Sequence, residues 1–167
     1  MNSIPSAEPT GSRSGSAAAG HTSDRPRVAV VRTAIHAPMV HAACDGLAAE
    51  LGGQAALEFH TVPGAFELPL FVRRLAMSHR VDAVVAVGFV VDGGVYRHEF
   101  VADAVISGLM RVQLDSDVPV FSCVLTPQRF HEHDDHRGFF VDHMQRKGHE
   151  VGHACIDTLS ALAVVAA

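Results

Sequence analysis

The sequence predicts an α/β fold, a three-layer sandwich in which a four-stranded parallel sheet carries helices on both faces. Three observations predict it. Four short β-branched runs alternate with four stretches of helical periodicity. The runs are almost continuously apolar, as strands buried on both faces are. The connections are short, and a parallel strand–helix–strand unit closes right-handedly with its helix against the sheet.

RVAVV at 27–31 is the first strand. Val40, Ala43, Cys44, Leu47, Ala48 and Leu51 then recur at helical spacing, and Gly52-Gly53 supplies the stop. ALEFHTV at 56–62 is the second strand, where Glu58 and His60 mark an edge. The next helix places Leu68, Phe71, Val72, Leu75 and Ala76 on one stripe. Pro69 is tolerated there because first-turn N–H groups have no intrahelical partner. DAVVAVGFV at 82–90 is the third and clearest strand, followed by a helix with Val101, Val105, Leu109 and Val112 on one face. VPVFSCVL at 118–125 is the fourth strand, and Val151, Ala154, Cys155, Thr158, Leu159 and Leu162 mark a long last helix. The polar, His-rich stretch 128–148 predicts a short helix and a turn ending at Gly148.

The chain divides into a tail, residues 1–25, and one domain, 26–167. The tail is rich in Ser, Ala, Gly and Pro without a hydrophobic period, so it is expected to be disordered. It has no continuous apolar stretch of the kind a secretory signal needs. The remainder is long enough to bury one core, with 48% of the 167 residues hydrophobic. A net charge of −5 argues against a nucleic-acid binder, which needs a cationic face. No apolar run reaches membrane-spanning length, so no membrane partner is expected. Cys44, Cys123 and Cys155 are few, odd in number and set in apolar sequence. They read as buried thiols of a cytoplasmic protein.

In an open parallel sheet, ligands bind beyond the carboxyl ends of the strands. That rule singles out Arg32 to His36, Pro63 to Glu67, Phe89 to His98 and Thr126 to His131. The third segment, FVVDGGVYRHEF, is the sharpest. Gly93-Gly94 lets backbone approach a ligand, and the helix beginning after it presents free N–H groups to an anion. Arg97 adds a permanent cation and His98 a group that exchanges protons near neutral pH. In PGAFELP, Glu67 lies where it accepts hydrogen bonds from hydroxyls or complements the helix dipole. His131, Glu132 and His136 invite a metal reading, but no zinc spacing appears and the cysteines are remote. No metal is expected. Arg129, His131, His133, His136, Arg137 and Lys147 read instead as a cationic wall for an anionic substrate, or as a solvated loop.

Through these motifs the chain resembles the 6,7-dimethyl-8-ribityllumazine synthase family over about Arg27 to Ala163. The resemblance rests on VPGAFELPL (62–70), VVDGGVYRHEFVADAVISGLM (90–110), VPVFSCVLTP (118–127) and RKGHEVGHA (146–154). DGGVYRHEF resembles the decameric type II branch. The resemblance implies a flavodoxin-like sandwich assembled as pentamers, with sites between neighbouring subunits. It implies condensation of 5-amino-6-(D-ribitylamino)uracil with 3,4-dihydroxy-2-butanone 4-phosphate, releasing phosphate and water, without cofactor or metal. By position, Ala65, Phe66, Glu67, Phe89, Val90 and Val91 would cradle the ribityl chain and pyrimidine. Gly94, Val95 and the following helix start would hold the phosphate, Lys147 would contact the pyrimidine edge, and His98 would move protons.

Some positions depart from the common pattern. Ile35 stands where many members stack an aromatic ring on the pyrimidine. Arg97 falls opposite the type I catalytic His, with His98 one place later; His98 takes the acid/base role because Arg stays protonated. Ser122 stands where type I members have Phe. His136 stands where they have a phosphate-binding Arg, with Arg137 beside it. A flavin- or lumazine-binding paralogue with little catalysis is the alternative that Ile35 motivates.

Overall fold

The structure, a computed structural model, describes residues 25–93, 97–131 and 133–165. The expected tail therefore lies outside the described residues but for its last position. In chain order the elements are β1 (Arg27–Thr33), α1 (Ala37–Leu51), β2 (Ala56–Val62) and a 3₁₀ turn (Ala65–Glu67). There follow α2 (Leu68–Ala76), β3 (Ala83–Phe89), α3 (His98–Ser116), β4 (Val120–Leu125) and α4 (Asp134–Val165). The four strands form one parallel sheet in the order β2-β1-β3-β4.

The two-residue period of the strands divides the core into two halves. Val28, Val30, Val85, Val87 and Phe89 turn to one face, against Leu47 of α1 and Met144 and Cys155 of α4. Ala29, Val31, Val84 and Ala86 turn to the other, against Val72 of α2 and Val105 and Leu109 of α3. Every residue of β3 is buried, whereas β2 buries only Val62 and forms an edge. Its Glu58 and His60, 3.2 Å apart, stand where water reaches them.

Boundaries follow local chemistry. Gly53, at φ +83°, turns the chain after α1 into the left-handed region that glycine enters freely. Strand β4 starts at Val120, not 118. Pro119 has no N–H for the ladder, and Val120 donates its own to Gln113 Oε1 at 2.9 Å. The start of β1 is tied to the approach to β3. Asp82 accepts the Arg27 backbone N–H at 2.7 Å and the guanidinium at 3.1 and 3.2 Å.

The one clear correction concerns 128–148. No turn ends at Gly148; a single helix runs from Asp134 to Val165. Gly148 serves packing instead of punctuation. A Cβ there would overlap the Ala43 carbonyl oxygen and stand 2.8 Å from Leu47 N, and one at Gly46 would overlap the Gln145 carbonyl. One glycine from each helix lets the backbones of α1 and α4 meet. The close packing this allows offsets the roughly 1 kcal/mol that a mid-helix glycine costs.

Candidate functional site

All four strands point their carboxyl ends the same way, and β1 and β3 are neighbours although the chain visits β2 between them. At such a switch point the two crossovers depart to opposite faces and leave a crevice. A cavity of about 420 Å³ lies there. The end of β1 lines it with Thr33, Ile35 and His36, and the 63–67 turn with Gly64 and Glu67 among others. Phe89, Val90 and Val91 close it from β3, and Val101 from α3.

The turn after β2 fits tightly. A Cβ at Gly64 would stand 3.1 Å from Glu67 Oε2 and 3.5 Å from Ile35 Cδ1. Glycine at 64 thus lets the Glu67 carboxylate fold back beside Ile35 at the cavity mouth. There it remains exposed and able to accept hydrogen bonds from hydroxyls. Thr33, buried, directs its hydroxyl to the Ile35 carbonyl at 3.4 Å.

A second cavity, about 330 Å³, is lined by His98, Glu99 and Ala102 of α3 and by Thr126 and Gln128 beyond β4. The first turn of α3 therefore contributes to both, Val101 to the apolar one and His98 to the polar one. The His98 side chain is 12% exposed, with Nδ1 3.6 Å from Glu99 Oε2. Arg97 caps the helix in extended conformation, its guanidinium 5.7 Å from the Phe100 ring centroid. Gly94 and Val95 lie outside the described residues.

The remaining candidates sit elsewhere and line neither cavity. Ser122 is exposed on β4, accepting the Val124 N–H at 3.4 Å. His136 Nδ1 accepts the His131 N–H at 3.0 Å, which puts any ring proton of the neutral form on Nε2. Its ring stacks on Phe130 and His131. Arg137 is exposed in the first turn of α4. Lys147 pairs with Glu150, whose carboxyl that hydrogen bond holds below its ordinary value. Among the described residues, no three His, Cys, Asp or Glu side chains form a metal-holding group.

Several lining residues, His36 above all, were not marked as candidates by motif. The strand-end rule had bracketed Thr33 and His36, Pro63 and Gly64. Val101 reads in sequence only as a core position of α3. The signal for His36 is a histidine just before a helix with proline in its first turn, where the backbone takes φ 54°.

The chain matches the family model described as 6,7-dimethyl-8-ribityllumazine synthase over residues 25–163. It is similar to a protein of Rhodococcus erythropolis named 6,7-dimethyl-8-ribityllumazine synthase. The two are 52% identical over 140 residues, covering 81% of this chain and 90% of the relative. Two proteins named 6,7-dimethyl-8-ribityllumazine synthase 2 are also similar. The one from Bradyrhizobium diazoefficiens is 49% identical over 81% of this chain and 84% of its own length. The one from Pseudomonas syringae pv. tomato is 45% identical over 80% and 81%.

Proposed function

This chain belongs to the 6,7-dimethyl-8-ribityllumazine synthase family, and on that premise we propose that its cleft joins 5-amino-6-(D-ribitylamino)uracil to 3,4-dihydroxy-2-butanone 4-phosphate. The products are 6,7-dimethyl-8-ribityllumazine, phosphate and water, and the enzyme is a transferase of riboflavin biosynthesis. The observation that carries this reading is a pair of cavities, each lined in part by the first turn of α3. One is apolar with a carboxylate at its mouth; the other is polar and holds His98.

In this reading the pyrimidine lies against Phe89, Val90 and Val91, and the ribityl hydroxyls donate to Glu67. The phosphate lies at Gly94, Val95 and the start of α3, whose dipole favours an anion. The 5-amino group attacks the ketone, and the adduct loses water as an imine forms. A carbon-bound proton then leaves as phosphate departs, and the ribityl-bearing nitrogen closes the second ring with loss of water. Each stage moves a proton, and we assign those transfers to His98 in the first turn of α3, because an imidazole both accepts and returns protons near neutral pH.

Ser122, His136, Arg137 and Lys147 enter this reading through self-association, serving the cleft of a neighbouring subunit in a pentamer, two of which pair as a decamer. Support comes from the large apolar side chains left exposed on α2 and α3, notably Leu70, Ile106, Met110 and Leu114. Three buried free thiols suit a cytoplasmic setting. Mixing the protein with both substrates, and following lumazine absorbance against an uncatalysed control, tests the function. Saturable acceleration supports it; binding of the pyrimidine without turnover returns the paralogue reading.

A further inference from the structure

We propose that His136 is a positioning residue for the His98 cavity, holding in place, through its Nδ1, the segment after β4 that forms one wall of it. The inference rests on the function proposed above. Thr126 and Gln128 supply that wall, facing His98, Glu99 and Ala102 of α3. Both are exposed and belong to the irregular stretch 126–131 between β4 and α4. The parallel ladder of β3 and β4 ends at Phe89 and Leu125, so the sheet does not hold this stretch. Among the described residues, one hydrogen bond ties it to the rest of the chain. The His131 N–H donates to His136 Nδ1 at 3.0 Å.

The surroundings aim that acceptor. The His136 ring is half-buried and stacks on two rings of the stretch, Phe130 at 6.1 Å and 27° and His131 at 5.6 Å and 29°. Phe140, one turn further along α4, meets it edge-on at 5.1 Å and 77°. Aromatic rings favour such offset and edge-on contacts, and together they fix the plane of the imidazole. The support behind it is rigid, because α4 is seated on α1 where Gly148 meets Ala43. A cavity wall of exposed loop residues is thereby referred to a packed helix through one imidazole nitrogen. The Nε2 edge of the ring is left for the neighbouring cleft named above. Rate depends on such a wall because reacting groups lose their alignment when it shifts by about 1 Å.

Two substitutions separate the atom from the ring. His136→Asn places an amide oxygen about where Nδ1 stands and keeps the acceptor, whereas His136→Gln places its amide about where Nε2 stands and loses it. Hydrogen–deuterium exchange of the assembled protein reads the hold directly, because amide exchange reports local opening. The His131 amide should exchange about fivefold faster in His136→Gln than in wild type, and within about twofold of wild type in His136→Asn. The kcat should follow the same order, about fivefold lower in His136→Gln and within about twofold in His136→Asn. The KM for the ribitylaminouracil should stay within about twofold in both, since 126–131 does not line the larger cavity. Unchanged His131 exchange in His136→Gln overturns the proposal. So does equally fast exchange in the two variants, or faster exchange with unchanged kcat. A kcat kept in His136→Gln but lost in His136→Asn also overturns it, and assigns the residue to an Nε2 contact. A wild type that does not condense the substrates defeats the proposed function, while the exchange comparison still reads the hold on 126–131.

Discussion

Gly148 of α4 rests directly on the backbone of Ala43 in α1, close enough that a Cβ at 148 would overlap the Ala43 carbonyl oxygen. The same helix carries Gly138, around which a Cβ would meet nothing within 4 Å. The pair separates helix propensity from packing. Gly138→Ala should stabilise by roughly 0.5 to 1 kcal/mol, through propensity alone. Gly148→Ala gains the same propensity but forces two helices apart, and should destabilise by about 2 kcal/mol net. Denaturant unfolding of the two variants checks both signs.

The strands were legible because a parallel strand covered on both faces must be nearly all β-branched or apolar, as Ala83–Phe89 is. The crevice was legible for the same reason, since strand ends fall where apolar runs give way to Gly, Pro and charge. Gly148 was not. A glycine between polar residues reads as a stop, and its partner Ala43 lies over a hundred positions away in the chain. His36 escaped motif reading because the rings it packs against, Phe89 and Phe130, come from distant segments.

Asp82 supplies a pH test. Burial pushes its carboxyl up, but the hydrogen bonds and charge of Arg27 together outweigh that and hold it below the ordinary 3.8. A carboxyl depressed in the folded state stabilises fully above its unfolded value and loses that contribution as pH falls through the folded one. Wild type should therefore lose stability relative to Asp82→Asn as pH falls below about 4. Thermal melting of both proteins across that window should show the curves converge. The gap at neutral pH should be small, because both partners are solvent-accessible.

The thiols report on core integrity. Burial pushes Cys123 up to about 12 and Cys155 up to about 11, and Cys44 is also raised, chiefly by burial. Only thiolate reacts readily with disulfide reagents. At pH 8 the native protein should release almost no chromophore from such a reagent, and the unfolded chain should release three equivalents.

Arg97 and Glu67 should affect binding more than chemistry. Arg97→Ala should raise the KM for the butanone phosphate about tenfold, through loss of a charge-assisted contact. Glu67→Gln should raise the KM for the ribitylaminouracil about tenfold, by weakening acceptance from the ribityl hydroxyls. Steady-state kinetics with each substrate varied in turn distinguishes the two.

The proposed condensation places its proton transfers on His98, in the first turn of α3. The most direct measurement is the kcat of lumazine formation for wild type and His98→Ala, each shown to be folded, against the uncatalysed rate. Wild type should show saturable acceleration, and the variant a kcat reduced about a hundredfold. A folded wild type no faster than the uncatalysed reaction, or a His98→Ala variant with unchanged kcat, would contradict it.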